Sequence, residues 1–297
     1  AIPFCMVAVA LRPDTPGVWH NLAEAQRLVN HHDPAVASYR RAIELKPDYA
    51  ESHFGAGASL NELGRLEEAL TAYETATSLR PDFAPALCNM GNVLTNLGRP
   101  ADAIPVLRRA IDLVGDRSDV DQCRLFSRVN LAHAYAVIGD HRAAISELER
   151  VSSVEARHPR DHETYNSYGF SLSHLGRLDE AITQFQKSIE CQPDFPLSHY
   201  NLGLALRSRG NLEGSTAALR RAIELDPSDP DSHNDLGVNL SKRRDFRAAV
   251  AEFQRAIELR PEFAMAYSNL GNCLRQAGDI DGAIAACRRA IELQPDY

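Results

Sequence analysis

The side chains best suited to metal or acid–base chemistry cluster at two places in this 297-residue sequence. The stretches HHD at 31–33 and HPRDH at 158–162 hold its densest groups of histidine and aspartate. Imidazole and carboxylate groups are common zinc ligands, but a zinc site needs several of them at converging positions. Both stretches lie between segments with a helical apolar pattern, which favours solvated junction residues. We therefore predict no metal site and no cofactor.

Catalytic motifs with a known mechanism do not occur in the sequence. There is no glycine-rich phosphate loop after a strand, no Gly-x-Ser-x-Gly and no His-Glu-x-x-His. The six cysteines, at 5, 88, 123, 191, 273 and 287, form no Cys-x-x-Cys pair and no regular framework. This spacing is typical of reduced thiols in a cytoplasmic protein. We predict no catalytic residues in this chain.

Charge and hydropathy narrow the range of partners. The formal net charge is -8, whereas nucleic-acid binding needs a clustered excess of Lys and Arg, and anionic lipid surfaces are disfavoured for the same reason. No apolar run approaches the roughly 18 residues that a membrane span requires. The opening AIPFCMVAVAL resembles a signal-peptide core but has no basic segment before it. The sequence thus predicts a cytoplasmic protein that binds neither nucleic acid nor membrane.

The sequence repeats itself with a fixed period. The phrases ASYRRAIELKPDYA, AEFQRAIELRPEFA and AACRRAIELQPDY are variants of one another, and their prolines recur every 34 residues, as from Pro13 to Pro47 and from Pro227 to Pro261. A period of this length with helical patterning predicts paired antiparallel helices stacked in a solenoid. On these phrases and this period, the chain resembles the tetratricopeptide repeat (TPR) family. The resemblance implies an all-α, right-handed superhelical solenoid of antiparallel helix pairs.

We number each repeat so that its proline is position 32, and call its two helices helix A and helix B. The repeats then span 16–49, 50–83, 84–124, 125–161, 162–195, 196–229, 230–263 and 264–297, after a leading half repeat at 1–15 that holds helix B alone. Insertions near 115–124 and 151–159 interrupt the period. The first could lengthen helix A of the fourth repeat by about two turns, and the second could lengthen helix B of that repeat. Alternatively, both insertions are tolerated without a role.

Small and large residues alternate at fixed positions of the repeat. Position 8 is glycine in six repeats, position 20 is alanine in all but one, where it is Ser215, and position 24 is large in most, as at Tyr73 and Phe253. Small residues let helices A and B approach closely, while large ones fill the space between neighbouring repeats. We therefore predict that histidines at position 4, such as His199, are packing residues with a polar tip. Glycine at position 15 suits a left-handed turn between the helices.

Position 6 of helix A carries an unusual column of polar residues. It reads Asn21, Gly55, Asn89, Asn130, Ser167, Asn201, Asp235 and Asn269. Fourteen asparagines in the chain would place roughly 0.4 of a residue in eight positions by chance, and five are there. We call Asn21, Asn89, Asn130, Asn201 and Asn269, with Asp235, the asparagine ladder. On a helical wheel, position 6 points away from the apolar face formed by positions 4, 7, 8 and 11.

A row of carboxamides can bind an extended peptide through its backbone, because each offers one donor and one acceptor that match a peptide unit. The TPR resemblance places position 6 on the concave channel of the superhelix. Asn92 and Asn272 at position 9, and Arg27, Arg207 and Arg275 at position 12, are adjacent candidates for side-chain preference. The alternative explanation of the column is that these asparagines arose by neutral substitution on a helix surface and have no role. Position 5 carries no lysine, which disfavours a clamp for a C-terminal carboxylate.

Two functions from different classes follow. The first is a non-enzymatic scaffold that binds extended peptide segments of partner proteins. The second comes from a further resemblance: the ladder is similar to that of the superhelical region of O-linked N-acetylglucosamine transferases, which implies a substrate-recognition arm whose catalytic domain lies outside this chain. Because the sequence begins within a repeat and stops after Pro295 with no polar capping helix, we also expect a longer parent array and possible self-association through the terminal repeats.

Replacing Asn89, Asn130 and Asn201 together by alanine tests the ladder. If position 6 faces only the channel, the triple variant should fold like the parent chain and bind peptide more weakly. Circular dichroism and peptide titration measure the two effects. An unchanged affinity would exclude the ladder as the binding surface.

Overall fold

The computed structural model describes residues 2–115, 122–152 and 161–295. All regular secondary structure in these ranges is helical. The helices are α1 (Ile2–Leu11), α2 (Pro16–Arg27), α3 (His32–Leu45), α4 (Ala50–Glu62), α5 (Leu66–Leu79), α6 (Ala84–Asn96), α7 (Pro100–Val114), α8 (Gln122–Val137), α9 (His141–Ser152), α10 (Asp161–His174), α11 (Leu178–Cys191), α12 (Pro196–Ser208), α13 (Leu212–Leu225), α14 (Pro230–Lys242), α15 (Phe246–Leu259), α16 (Ala264–Ala277) and α17 (Ile280–Leu293).

The chain divides into two compact units, Ala1–His158 with helices α1–α9 and Pro159–Tyr297 with helices α10–α17. Within each unit, every helix packs against its neighbours in sequence, and each helix A also touches the helix A of the next repeat, as α12 touches α14 and α14 touches α16. This is the contact pattern of stacked helix pairs. The predicted all-α solenoid fold is therefore confirmed.

The approach of helix A to helix B depends on position 8. A Cβ atom added to Gly57 would lie 2.8 Å from the ring of Tyr73, and one added to Gly237 would lie 2.7 Å from the ring of Phe253. Both rings are at position 24 of the same repeat and are almost fully buried. A side chain at either of these two glycines would therefore push its helices A and B apart.

The one exception at position 20 also has a packing reason. Where the other repeats have alanine, Ser215 accepts a hydrogen bond from the Nδ2 group of Asn239, with 2.7 Å between the oxygen and the nitrogen. Both side chains are 0% exposed. The serine thus supplies the partner that a buried asparagine of the next repeat requires.

Position 4 contacts the turn that follows helix B of the preceding repeat. The indole Nε1 of Trp19 donates to the carbonyl oxygen of Pro13 at 2.7 Å, and Nε2 of His199 lies 2.9 Å from the carbonyl oxygen of Pro193. The same contact joins His53 to Pro47 and His233 to Pro227. The proline lies in the turn after helix B, where its carbonyl has no helical partner, so a ring N–H at position 4 can satisfy it. These histidines are packing residues with a bonded polar tip, as predicted.

The predicted effects of the two insertions fall largely outside the described residues. Helix α7 ends at Val114 and α8 begins at Gln122, three residues before position 1, but 116–121 are not described. Helix α9 is described to Ser152, and 153–160, with most of the HPRDH stretch, are not. Lengthened helices at these joints stay predictions.

The turn between helices A and B has a left-handed residue at position 15. Six repeats have glycine there, for example Gly64 at φ 72° and Gly278 at φ 91°. The other two have Asn30 at φ 60° and Arg244 at φ 65°. Asparagine tolerates this region, whereas arginine is strained by contact of its Cβ with the backbone.

Replacing Arg244 by glycine should stabilise the protein, because it removes a left-handed strain of roughly 1 kcal/mol. Its neighbour Arg243, also exposed, has φ -82° and provides the control. Glycine there should lower stability, since it only adds backbone entropy to the unfolded chain. Urea unfolding of the two variants measures both effects, and destabilisation by Arg244→Gly would contradict the strain argument.

Candidate functional site

Successive helices A in the second unit are joined by one repeated hydrogen bond. Nδ2 of Asn201 donates to Oδ1 of Asn166 at 3.0 Å, and Nδ2 of Asn269 donates to Oδ1 of Asn234 at 2.9 Å. Each bond links position 6 of one repeat to position 5 of the repeat before it. At the joint between these two, the hydroxyl of Tyr200 at position 5 donates to Oδ2 of Asp235 at position 6, at 3.0 Å.

The first unit uses position 6 in related ways. Nδ2 of Asn130 donates to Sγ of Cys88, at position 5 of the preceding repeat, over 3.7 Å. Asn89 donates to the hydroxyl of Tyr73 at 3.4 Å. A Cβ atom at Gly55 would collide with the ring of Tyr39, so that repeat has no room for a side chain at position 6.

The helical-wheel expectation that position 6 faces away from inter-repeat contacts is therefore wrong for Asn130, Asn201 and Asn269. The wheel took positions 4, 7, 8 and 11 as the whole contact surface of helix A. In the folded protein, helices A of successive repeats also lie against one another, and positions 5 and 6 are at that seam. Asn130 and Asn201 are only 8% exposed, whereas Asn21 is exposed.

The seam fixes how the ladder carboxamides are oriented. In Asn201 and Asn269 the NH₂ group points to the preceding repeat, and Oδ1 has no hydrogen-bond partner among the described residues. Neither oxygen is one of the described polar atoms that are both unpartnered and sealed from solvent. Each of these side chains therefore presents one accessible acceptor.

The three candidate arginines at position 12 are already bonded. Arg207 forms an ion pair of 2.7 Å with Asp235, in which both side chains are less than a quarter exposed. Arg275 donates to Oδ1 of Asn272 at 2.9 Å, and Asn92 accepts from Asn96 at the same distance. Arg207 is thus neutralised by a carboxylate, whereas Arg275 has a neutral carboxamide as its partner and keeps its positive charge.

Sequence reasoning missed Glu24, which is the partner of Arg27. The two form an ion pair of 2.8 Å, and the hydroxyl of Tyr39 also donates to the Glu24 carboxylate. Burial opposes ionisation of Glu24, but the hydrogen bonds from Arg27 and Tyr39 lower its pKa overall. Burial and the same carboxylate raise the pKa of Tyr39. The spacing of Glu24 and Arg27, three residues apart on one helix, could have indicated this pair.

Two further observations bear on the class of site. Within the described ranges, no group of three or more His, Cys, Asp or Glu side chains is placed to hold a metal ion. None of the helices there has the length and apolar character needed to cross a bilayer.

The thiol beneath Asn130 is not ionised. Hydrogen bonding to Cys123 and burial raise the pKa of the Cys88 thiol, so it stays protonated.

Replacing Asn201 by alanine should lower the free energy of unfolding by about 1 kcal/mol, since the buried Asn166 oxygen loses a donor. Asn21→Ala is the matched control, because this ladder residue is exposed and should change stability by less than about 0.5 kcal/mol. Urea unfolding distinguishes the two. Equal effects would mean that the bond between Asn201 and Asn166 contributes nothing to stability. The triple variant of Asn89, Asn130 and Asn201 would then be expected to fold like the parent chain.

Models of the tetratricopeptide repeat match residues 16–49, 86–121 and 234–297, and a TPR repeat model matches 57–98, 173–207 and 203–243. No curated protein shows a significant match to the sequence.

Solved structures show the same fold. The crystal structure of the APC/C hetero-tetramer Cut9-Hcn1 is similar over 92% of this chain and 52% of that chain, at 15% identity and a TM-score of 0.71. A crystal structure of MamA is similar over 56% of this chain and 95% of that chain, at 23% identity and a TM-score of 0.51. Stacked repeats of this kind provide extended surfaces for other proteins. The chain therefore belongs to the tetratricopeptide repeat family and is a protein–protein interaction scaffold.

Proposed function

We propose that the chain binds extended peptide segments of partner proteins, and that ladder oxygens accept hydrogen bonds from the peptide backbone. The observation that carries this proposal is the shared orientation of Asn201 and Asn269. Each donates through Nδ2 to the preceding repeat and leaves Oδ1 unpaired and accessible. A peptide N–H is the commonest group that could complete this bond.

An extended peptide suits this arrangement because the acceptors recur once per repeat. A single hydrogen bond contributes a net ~0.5 to 1.5 kcal/mol, so one carboxamide would not hold a ligand. Several acceptors along one chain act together at high effective concentration. Because these acceptors bind the peptide backbone, they orient the peptide without selecting its side chains. Selectivity is then determined by the residues around the ladder.

The charged side chains near the ladder support binding of segments other than acidic chain ends. Arg207 is neutralised by Asp235, and Tyr200 donates to the same carboxylate. Burial and the charge of Asp235 raise the pKa of Tyr200, so its hydroxyl keeps its proton. With its guanidinium engaged, Arg207 is not free to clamp a ligand carboxylate.

The comparisons do not favour the glycosyltransferase alternative, since the matches are to repeat models and repeat structures. Self-association stays a prediction. A cytoplasmic location also stays a prediction.

The proposal is tested with short unstructured peptides. Labelled protein is screened against an array of random sequences, and the best binder is resynthesised with N-methyl groups on successive backbone nitrogens. Methylation removes the N–H donor and keeps the side chain. We expect at least a tenfold loss of affinity, about 1.4 kcal/mol, at the positions that bond to the ladder, measured by fluorescence anisotropy.

A double variant, Asn201→Ala with Asn269→Ala, should weaken binding of the unmodified peptide by a similar factor. Asn239→Ala is the matched control, because it also loses an inter-repeat hydrogen bond but lies 0% exposed in the core, out of reach of any ligand. Equal affinity of the two variants, or indifference to N-methylation, would refute backbone recognition by the ladder.

A further inference from the structure

Two repeats show how this fold holds a guanidinium at position 31. Arg80 forms an ion pair of 2.6 Å with Glu51 at position 2, and its guanidinium carbon lies 3.4 Å from the ring centre of Phe83 at position 34. Arg260 forms an ion pair of 2.7 Å with Asp231, and its guanidinium carbon lies 4.5 Å from the ring centre of Phe263. A carboxylate and an aromatic face enclose the arginine in both cases.

The repeat at 196–229 departs from this arrangement. Position 31 is Asp226, position 2 is Leu197 and position 34 is Asp229, so the repeat supplies no arginine of its own. An open cavity of about 420 Å³ lies at this point, and all three residues line it. Phe195 and Tyr200 provide aromatic walls. We call it the Asp226 cavity.

The Asp226 cavity carries an excess of negative charge. Asp226 accepts hydrogen bonds through Oδ1 from the backbone nitrogen and hydroxyl of Ser228, which lower its pKa. Asp229 caps α14 by accepting from the backbone nitrogen of Ser232 at 3.0 Å. Asp231 also lines the cavity and pairs with Arg260. Among the described residues, Asp231 has an arginine partner, whereas Asp226 and Asp229 form no ion pair and Oδ2 of Asp226 has no partner.

Tyr200 lies close to several of these carboxylates. After burial, the charges of Asp235, Asp231 and Asp229 are what raise the pKa of its hydroxyl. Tyr200 also connects the Asp226 cavity to the ladder, because its hydroxyl bonds to Asp235. A side chain of a peptide lying along the ladder of the second unit could therefore enter the cavity.

We propose that the Asp226 cavity binds an arginine side chain of the partner peptide. This inference rests on the proposed function and specifies the partner as a basic segment. The planar guanidinium can stack on Phe195 or Tyr200 while it donates to Asp226, as Arg80 and Arg260 do internally. The net charge of -8 also favours encounter with basic segments.

The test uses the smallest ligand that carries the group. N-acetyl-arginine N-methylamide is titrated into ¹⁵N-labelled protein, and its citrulline analogue serves as the uncharged isostere. We expect chemical-shift changes among backbone amides of 195–200 and 226–232, with citrulline binding about tenfold more weakly or not at all. Lysine should bind more weakly than arginine, since it cannot stack as a plane.

Asp226→Arg is the decisive variant, because it introduces the residue type that occupies position 31 in two other repeats and so should fold normally. It should abolish the arginine-dependent shifts by filling the cavity. Asp82→Arg, the same charge change in an exposed turn of the first unit, should leave them intact. Asp226→Asn should weaken arginine binding without adding bulk.

Lack of shifts around the Asp226 cavity, or equal binding of arginine and citrulline, would overturn this inference. So would retention of arginine binding by Asp226→Arg. None of these outcomes depends on backbone recognition, which is tested separately by N-methylation of peptides. Arginine binding with no effect of N-methylation would keep the cavity as a guanidinium site and reject the ladder as the peptide surface.

Discussion

The contact between position 8 and position 24 of each repeat is the constraint on which the rest of the structure depends. Helices A and B approach closely because the first carries glycine or alanine at position 8 and the second fills the gap, as Phe253 does over Gly237. The large position-24 rings Tyr39, Tyr73, Phe185 and Phe253 are at most 1% exposed. Because this face of helix A is closed by its own helix B, polar residues are left to the seam with the next helix A and to the surface beyond it.

The seam links stability to function through the asparagines. A carboxamide placed between two helices must satisfy its groups or lose stability. Asn201 and Asn269 do so with their donors, and Oδ1 of each is left without a partner among the described residues. The residues that hold successive repeats together are therefore also those that we propose as acceptors for a peptide backbone. Substitutions at these positions change folding and binding together, which is why a core asparagine such as Asn239 is the appropriate reference.

Departures from the repeat pattern are local and paired. Ser215 replaces alanine where Asn239 needs an acceptor, and Arg244 occupies a turn position that elsewhere suits glycine. Asp226 stands where two other repeats have an arginine enclosed by a carboxylate and an aromatic ring. A solenoid tolerates such changes because each repeat contacts only its neighbours, so a substitution is compensated within one joint. Because the repeats are independent in this way, one repeat can acquire a ligand preference that the other repeats lack.

The sequence by itself determined the helix pairs, the close-packed positions and the left-handed turns, because the 34-residue period and the small residues at positions 8 and 15 are local signals. It also identified the ladder as a column. Only the tertiary structure decided what the column contacts: Asn201 and Asn166 are distant in the sequence, and a wheel drawn for one helix does not include the neighbouring helix A. The partner of Arg27 and the open space beside Asp226 were likewise decided by packing between helices, since they depend on which side chains meet rather than on residue types alone.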